Sequence, residues 1–155
     1  MKETFVLEDL LNMMIELETF GNENYQRLAL NTTNSSLKEY FTTLAEMELK
    51  HKHIFEGFKE EAVTYPGSEL DEDYTDYLKS ILKNAVRFMK INRNSEHMDD
   101  FEAAFDLAVT LEKDAILFLI EIRTLIPSDH HHIIDRLIAE ERSHLKYLYN
   151  YIEGA

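Results

Sequence analysis

Cysteine is absent from this sequence, and glycine and proline are scarce, with four and two residues. Without cysteine these residues can form no disulfide, no iron–sulfur cluster, no Cys-ligated zinc site and no thiol nucleophile. Any metal must be held by Glu, Asp and His side chains, which suits harder ions such as iron or manganese, with zinc still possible. Because glycine and proline supply turns, their scarcity favours long helices over an all-β fold.

Positive charge and long apolar runs are also lacking. The 16 Lys and Arg are outnumbered by 30 Asp and Glu, and the resulting formal charge of −14 should repel nucleic acid and anionic membranes. No apolar run approaches the roughly 18 residues of a membrane-spanning helix, and the first residues show no signal-peptide pattern. We therefore expect a cytoplasmic protein. Its 155 residues, 45% of them hydrophobic, suit a single globular domain over 1–155.

Polar, turn-forming clusters such as NTTNSS (31–36) divide the sequence into helical segments. The predicted long helices cover 4–30, 36–61, 98–125 and 129–152, and a shorter one covers 73–90. Ser128 or Asp129 is expected to cap the last helix. Short loops predict two antiparallel hairpins, so the 62–97 connection serves as the crossover of a four-helix bundle.

Each long helix carries one apolar stripe, with residues at alternating steps of four and three, and a carboxylate interrupts every stripe near its middle. The inward carboxylates are Glu18, Glu48, Glu112 and Glu141. In the second and fourth helices a histidine follows three residues later, as His51 and His144. LAEMELKH (44–51) and LIAEERSH (137–144) repeat the same pattern, so the two hairpins are related.

This combination predicts a pair of metal ions. A carboxylate in an apolar core is costly, and four at one level repel each other. No Lys or Arg lies on the stripes to balance them. Two divalent cations would neutralise the four carboxylates and accept the histidines as neutral nitrogen ligands, and the i, i+3 spacing puts each Glu and His on one helix face. The alternative is a bundle with charged core layers satisfied by water or partners, or a site that no longer binds metal.

Four segments carry a resemblance to a known family. LETFGNENYQRLA (17–29), LAEMELKH (44–51), LEKDAILFLIEI (111–122) and LIAEERSH (137–144) resemble the rubrerythrin-like branch of the ferritin-like superfamily. The resemblance implies an all-α, ferritin-like four-helix bundle, often a homodimer. It also implies two iron ions, sometimes manganese, held by the six residues named above. Rubrerythrins reduce hydrogen peroxide, whereas ferritins oxidise and store iron.

The sequence departs from rubrerythrins in three ways. It contains no Cys-rich rubredoxin domain, so turnover would need a separate electron-donor protein. Ala115 stands where rubrerythrins have an extra carboxylate, which brings their redox-linked ligand movement into question. Tyr25 follows Glu18 by seven residues, as in the family, but Leu119 occupies the equivalent position after Glu112, so the site is not symmetric.

Tyr25 is the candidate catalytic residue beside the ligands. Because helical side chains lean toward the N-terminus, its hydroxyl should approach the metal end of the core. There it would hydrogen-bond a ligand or relay one electron; alternatively it is a core tyrosine satisfied by backbone or water. Glu46 and His53 are predicted to face solvent. The His130–His132 run is interpreted as the polar start of a helix, with a surface metal site as the alternative.

Three functions remain open at this stage. The first is a di-iron oxidoreductase acting on a small-molecule oxidant, peroxide or O₂. The second is iron handling without reductive turnover, and the third is a non-catalytic bundle with a structural or dead metal site.

Overall fold

The computed structural model describes residues 2–65, 70–93 and 100–154, and side chains within 7–65, 70–92 and 100–151. These residues form an all-α structure without strands. Its helices are α1 (Lys2–Leu30), α2 (Ser35–Ala62), α3 (Glu72–Arg93), α4 (Phe101–Leu125) and α5 (His131–Gly154). The five predicted helices are confirmed, although the expected start of the third long helix at 98 lies outside the described residues.

The loop sequences explain two of the helix starts. Asn34 caps α2, because its side-chain oxygen accepts the N–H groups of Ser36 and Leu37 at 3.0 and 3.1 Å. The start of α5 differs from the prediction: Ser128 and Asp129 lie inside a short 3₁₀ turn, Ser128–His130, and α5 begins at His131. Pro127 sets up that turn, since its carbonyl accepts the His130 N–H at 3.0 Å.

Neighbouring helices of the bundle run antiparallel. Asn22 of α1 donates to the Ala45 carbonyl of α2 at 2.7 Å, and Asn24 donates to the Ala104 carbonyl of α4 at 2.8 Å. At the far end of α4, Arg123 pairs with an aspartate of α5 at 2.6 Å. Both asparagines are buried, so these bonds set the register of α1 against its two neighbours.

The α3 helix lies within the crossover and packs against α1. Because α2 ends at one end of the bundle and α4 begins at the other, the connection has to travel the length of the bundle. Leu78, Ala85 and Met89 of α3 are buried and join the core beside α1. This helix therefore packs within the chain through a buried apolar face.

The core consists of two apolar clusters with the charged layer between them. One cluster includes Phe20, Phe55 and Phe118, and the other includes Phe41 and Phe105. Among the described residues, no helix combines the length and apolar character needed to cross a membrane.

Candidate metal centre

The structure brings all six predicted ligands to the middle of the bundle. Their exposed fractions lie between 1% and 5%. They are contributed by all four long helices: Glu18 by α1, Glu48 and His51 by α2, Glu112 by α4, and Glu141 and His144 by α5. Each helix delivers its carboxylate at the same level because the stripes keep one register over their full length.

The ligand atoms form two overlapping groups, within each of which all atoms lie no more than 4.8 Å apart. The first group is Glu18, Glu48, His51 and Glu141, and the second is Glu48, Glu112, Glu141 and His144. Glu48 and Glu141 therefore belong to both groups, while each group has one further carboxylate and one histidine of its own. This is the arrangement expected for two ions that share two carboxylates.

The buried polar atoms of this layer are unusual in having no hydrogen-bond partner. The unpartnered atoms are both oxygens of Glu18 and of Glu141, one oxygen each of Glu48 and Glu112, and Nδ1 of both histidines. The nearest polar neighbours of these atoms are other members of the same layer, such as Oε1 of Glu141 at 2.7 Å from Nδ1 of His51. Since buried polar atoms are nearly always paired, these lone pairs fit bound cations.

Glu140 holds His51 from the other side of the ring. Its carboxylate lies 2.7 Å from Nε2 of His51, although Glu140 itself is partly exposed at the bundle surface. A carboxylate at Nε2 favours the tautomer that carries its proton there and leaves Nδ1 free to bind a metal. Sequence reasoning missed this residue, because nothing local shows that a surface glutamate of α5 reaches a histidine 89 positions away.

Tyr25 lies against the same centre and is buried. Its hydroxyl donates to Oε1 of Glu112 at 2.5 Å, while Oε2 of Glu112 stays unpartnered. Burial raises the pKa of Tyr25 well above its usual value, and the Glu112 and Glu48 charges raise it further. The phenol therefore keeps its proton. Of the two placements predicted for this hydroxyl, the structure has the hydrogen bond to a predicted ligand.

The charges of the layer shift the pKa values of its members in opposite directions. Burial raises the pKa of Glu18, Glu48 and Glu112 well above the ordinary range, and the Glu141 charge adds to this. Burial alone would lower the pKa of His51 and His144, but the surrounding carboxylates raise both to about 9.

Glu141 itself is the exception in this layer. Burial would raise its pKa, but the neighbouring Glu112, His144 and His51 lower it. Protons thus balance part of the charge in the metal-free protein, and a cation would compete with them for the same atoms.

Gly21 gives Glu48 the space it occupies. A Cβ atom at position 21 would lie 3.2 Å from Oε2 of Glu48, closer than ordinary van der Waals contact. Glycine in a helix interior costs about 0.5–1 kcal/mol relative to alanine, so its presence in the stripe needs a reason. The close approach of the carboxylate is that reason.

We predict that Gly21→Ala weakens metal binding about tenfold, the lower end of the range for changes next to a ligand. The added methyl displaces Glu48, which both ligand groups use. Gly57→Ala is the matched control, because a Cβ there meets no atom within 4 Å. It should stabilise α2 slightly and leave metal affinity unchanged, as measured by competition with a chelator. Equal affinities for the two variants would show that Gly21 has no such role.

Glu46 and His53 face outward as predicted: both are exposed, and His53 lies near Glu56 at 3.4 Å. In the His130–His132 run only His132 is exposed, whereas His130 and His131 are half-buried and His130 packs on the ring of Phe58. The described residues contain no further cluster of His, Asp and Glu arranged to hold a metal.

Comparisons with known proteins give the fold and the family of this chain. The search of curated proteins gave no match. Among solved structures, a Thermotoga maritima protein described as a ferritin-like diiron-carboxylate protein has 24% sequence identity, with a TM-score of 0.64. The match covers 93% of this chain and 92% of that one, so this protein has the ferritin-like fold. The family model described as Rubrerythrin matches residues 9–152. The chain therefore belongs to the rubrerythrin family.

Proposed function

We propose that this protein is a di-iron oxidoreductase that reduces peroxide or O₂. The observation that carries the proposal is the set of unpartnered, buried ligand atoms, to which all six predicted residues contribute. Oxygen donors with one imidazole for each ion suit iron or manganese better than softer metals. Family membership and the diiron description of the Thermotoga maritima protein support iron.

The six residues would divide between the two ions. Glu18 and His51 would hold one ion, Glu112 and His144 would hold the other, and Glu48 and Glu141, which belong to both groups, would contribute to both positions. Bound iron would supply one electron from each Fe(II) to the oxidant. The protein contributes the geometry, the dry surroundings and the orientation of the ligands.

A small cavity beside the ligands favours a small substrate. It has a volume of about 10 Å³, near the lower limit for one water molecule. Leu17, Gly21, Leu111 and Ala115 line it together with Tyr25 and three of the glutamates. The small side chains at 21 and 115 leave this space open, and the buried side chains of Leu17 and Leu111 form its apolar wall. An organic substrate cannot enter a space of this size, so the proposed oxidant is a molecule of few atoms, as peroxide and O₂ are.

Tyr25 would act at the edge of this cavity. Its hydroxyl holds a proton within 2.5 Å of Glu112, where reduction of peroxide to water consumes protons. In this proposal Tyr25 orients Glu112 and keeps a proton near the reacting oxygen.

The proposal predicts fast oxidation of the iron-loaded protein by peroxide. Protein expressed in iron-supplemented medium should contain about two iron ions per chain. In anaerobic stopped-flow mixing, its Fe(II) should be oxidised by peroxide much faster than Fe²⁺ in buffer. A rate equal to that of free Fe²⁺ would refute the proposal, and a folded protein without metal would favour a non-catalytic bundle.

Iron handling is the second candidate, and the lack of cysteine favours it. With no cysteine in these 155 residues, electrons for repeated turnover must come from another redox centre. Steady-state peroxide reduction with an added rubredoxin-type or flavin reductase would support the oxidoreductase. A single oxidation followed by iron retention or mineral growth would support iron handling instead.

A further inference from the structure

We infer that the two ion positions are unequal, and that the position formed by Glu18 and His51 binds its ion first and more tightly than the position formed by Glu112 and His144. This inference rests on the proposed di-metal site. It concerns which residues around that site differ between its two halves, since Glu48 and Glu141 are common to both.

The internal repeat shows which residues of the two ion positions correspond to each other. The 44–51 and 137–144 segments correspond residue by residue, so His51 matches His144 and Met47 matches Glu140. On α1 and α4, the residues seven positions after the stripe glutamate are Tyr25 and Leu119. A symmetric site would have the same residue at both members of each pair.

The first break in symmetry lies behind the histidines. Glu140 reaches Nε2 of His51 at 2.7 Å and so fixes the ring and increases the basicity of Nδ1. The corresponding position on α2 is Met47, whose thioether cannot do the same for His144. Only His51 receives a carboxylate from this repeated position.

The second break lies at the carboxylates. Both oxygens of Glu18 are buried without a hydrogen-bond partner, so both are free to bind an ion. At Glu112 one oxygen already accepts the Tyr25 hydroxyl at 2.5 Å, and only Oε2 is unpartnered. Leu119 offers no hydroxyl to Glu18.

Both differences favour the same position. The Glu18–His51 half combines a supported histidine with two unpartnered carboxylate oxygens. In the Glu112–His144 half, Glu112 has one unpartnered oxygen and the position equivalent to Glu140 is Met47. A stable state with one ion therefore exists, in which the second position exchanges its ion more readily. Such a protein keeps one resident ion while gaining and losing the other.

The test is an anaerobic titration of metal-free protein with Co²⁺, followed by visible absorbance and calorimetry. Two binding steps are expected. Two steps alone do not show that the positions differ, because the charge of the first ion weakens binding of the second even when the positions are equal. The decisive observation is therefore the location of the first ion: in crystals with one Co²⁺ per chain, anomalous scattering should lie at the Glu18–His51 position. Equal density at both positions would overturn the inference and leave the di-metal site intact, whereas no cobalt at either would overturn both.

Two variants test the residues responsible. Glu140→Gln should weaken the first step by about 10- to 100-fold and spare the second. Met47→Glu should tighten the second step by restoring the repeat. Glu46→Gln, on the exposed side of α2, is the control and should change neither. Equal weakening of both steps by Glu140→Gln would contradict the assignment, whatever Met47→Glu does.

Discussion

Replacing Glu48 with alanine is expected to lower the metal content from about two ions per chain to one or none. Glu48 belongs to both ligand groups, so its loss removes a donor from each position at once. Glu18, Glu112 and Glu141 would then have to hold the ions with one carboxylate fewer. Inductively coupled plasma mass spectrometry on protein reconstituted with Fe²⁺ measures the effect directly.

Glu46→Ala is the matched control for this experiment. Glu46 lies on the same helix, two residues away, but its side chain is exposed to solvent. It should leave metal content and peroxide reactivity unchanged. Circular dichroism of both variants separates lost ligation from lost folding. If Glu46→Ala and Glu48→Ala bound the same amount of iron, the inward register of α2 would be wrong.

The second large effect is a fall in stability of the metal-free protein as the pH rises from about 6.5 to about 9. His51 and His144 have pKa values of about 9 in the folded protein, above the ordinary value of 6.5. A histidine with a raised pKa contributes its full stabilisation when the pH is below its pKa in the unfolded chain. That contribution disappears as the pH rises through its pKa in the folded protein. Each histidine accounts for about 3 kcal/mol by this relation.

The glutamates change the stability in the same direction as the pH rises above their ordinary pKa. The pKa values of Glu18, Glu48 and Glu112 are raised, so their protonated forms favour folding and ionisation at higher pH removes that contribution. Glu141 has a lowered pKa, so its contribution to the stability of the protein is lost only at acidic pH, below the ordinary pKa of a glutamate. The sum is a protein that unfolds more easily at pH 9 than at pH 6.5 when no metal is bound.

Urea unfolding of chelator-treated protein at several pH values measures this dependence. His144→Gln should flatten the profile, whereas His53→Gln should not, because His53 is exposed. Adding Zn²⁺ as a redox-inert ion should reverse the trend, since metal ligands must lose their protons and the ion binds better at higher pH. A metal-free protein whose stability rises from pH 6.5 to 9 would contradict the predicted charge balance.

Periodicity explains why so much of the site was predictable. In α2, Glu48 and His51 share a stripe with Phe41, Leu44 and Phe55, and all of these are buried in the structure. Helical spacing is a local property, so it identifies the inward face before any partner helix is known. The same reasoning separated Glu48 from Glu46 and His51 from His53. The charge balance then indicated a need for cations, because the four inward carboxylates have no basic residue on the stripes.

Which residues meet across the helices was not predictable in this way, although Tyr25 was expected to approach a ligand. Glu140 and His51 are 89 positions apart, and Tyr25 and Glu112 are 87 apart. Predicting either pair would require the rotation and axial offset of two packed helices to be known to within about the length of a hydrogen bond. Glu140 looked like any surface glutamate because a single helix shows only which way a side chain points, not what lies there.

The sequence by itself thus determined the helices, their inward faces and the six Glu and His residues of the buried layer, because all three follow from spacing along one helix at a time. Tertiary structure alone decided that Gly21 makes room for Glu48, that Tyr25 occupies one oxygen of Glu112, and that Glu140 supports one histidine of the two. The physical reason is that the repeat makes the two halves of the site nearly equal in sequence pattern, while distances between packed helices determine how they differ.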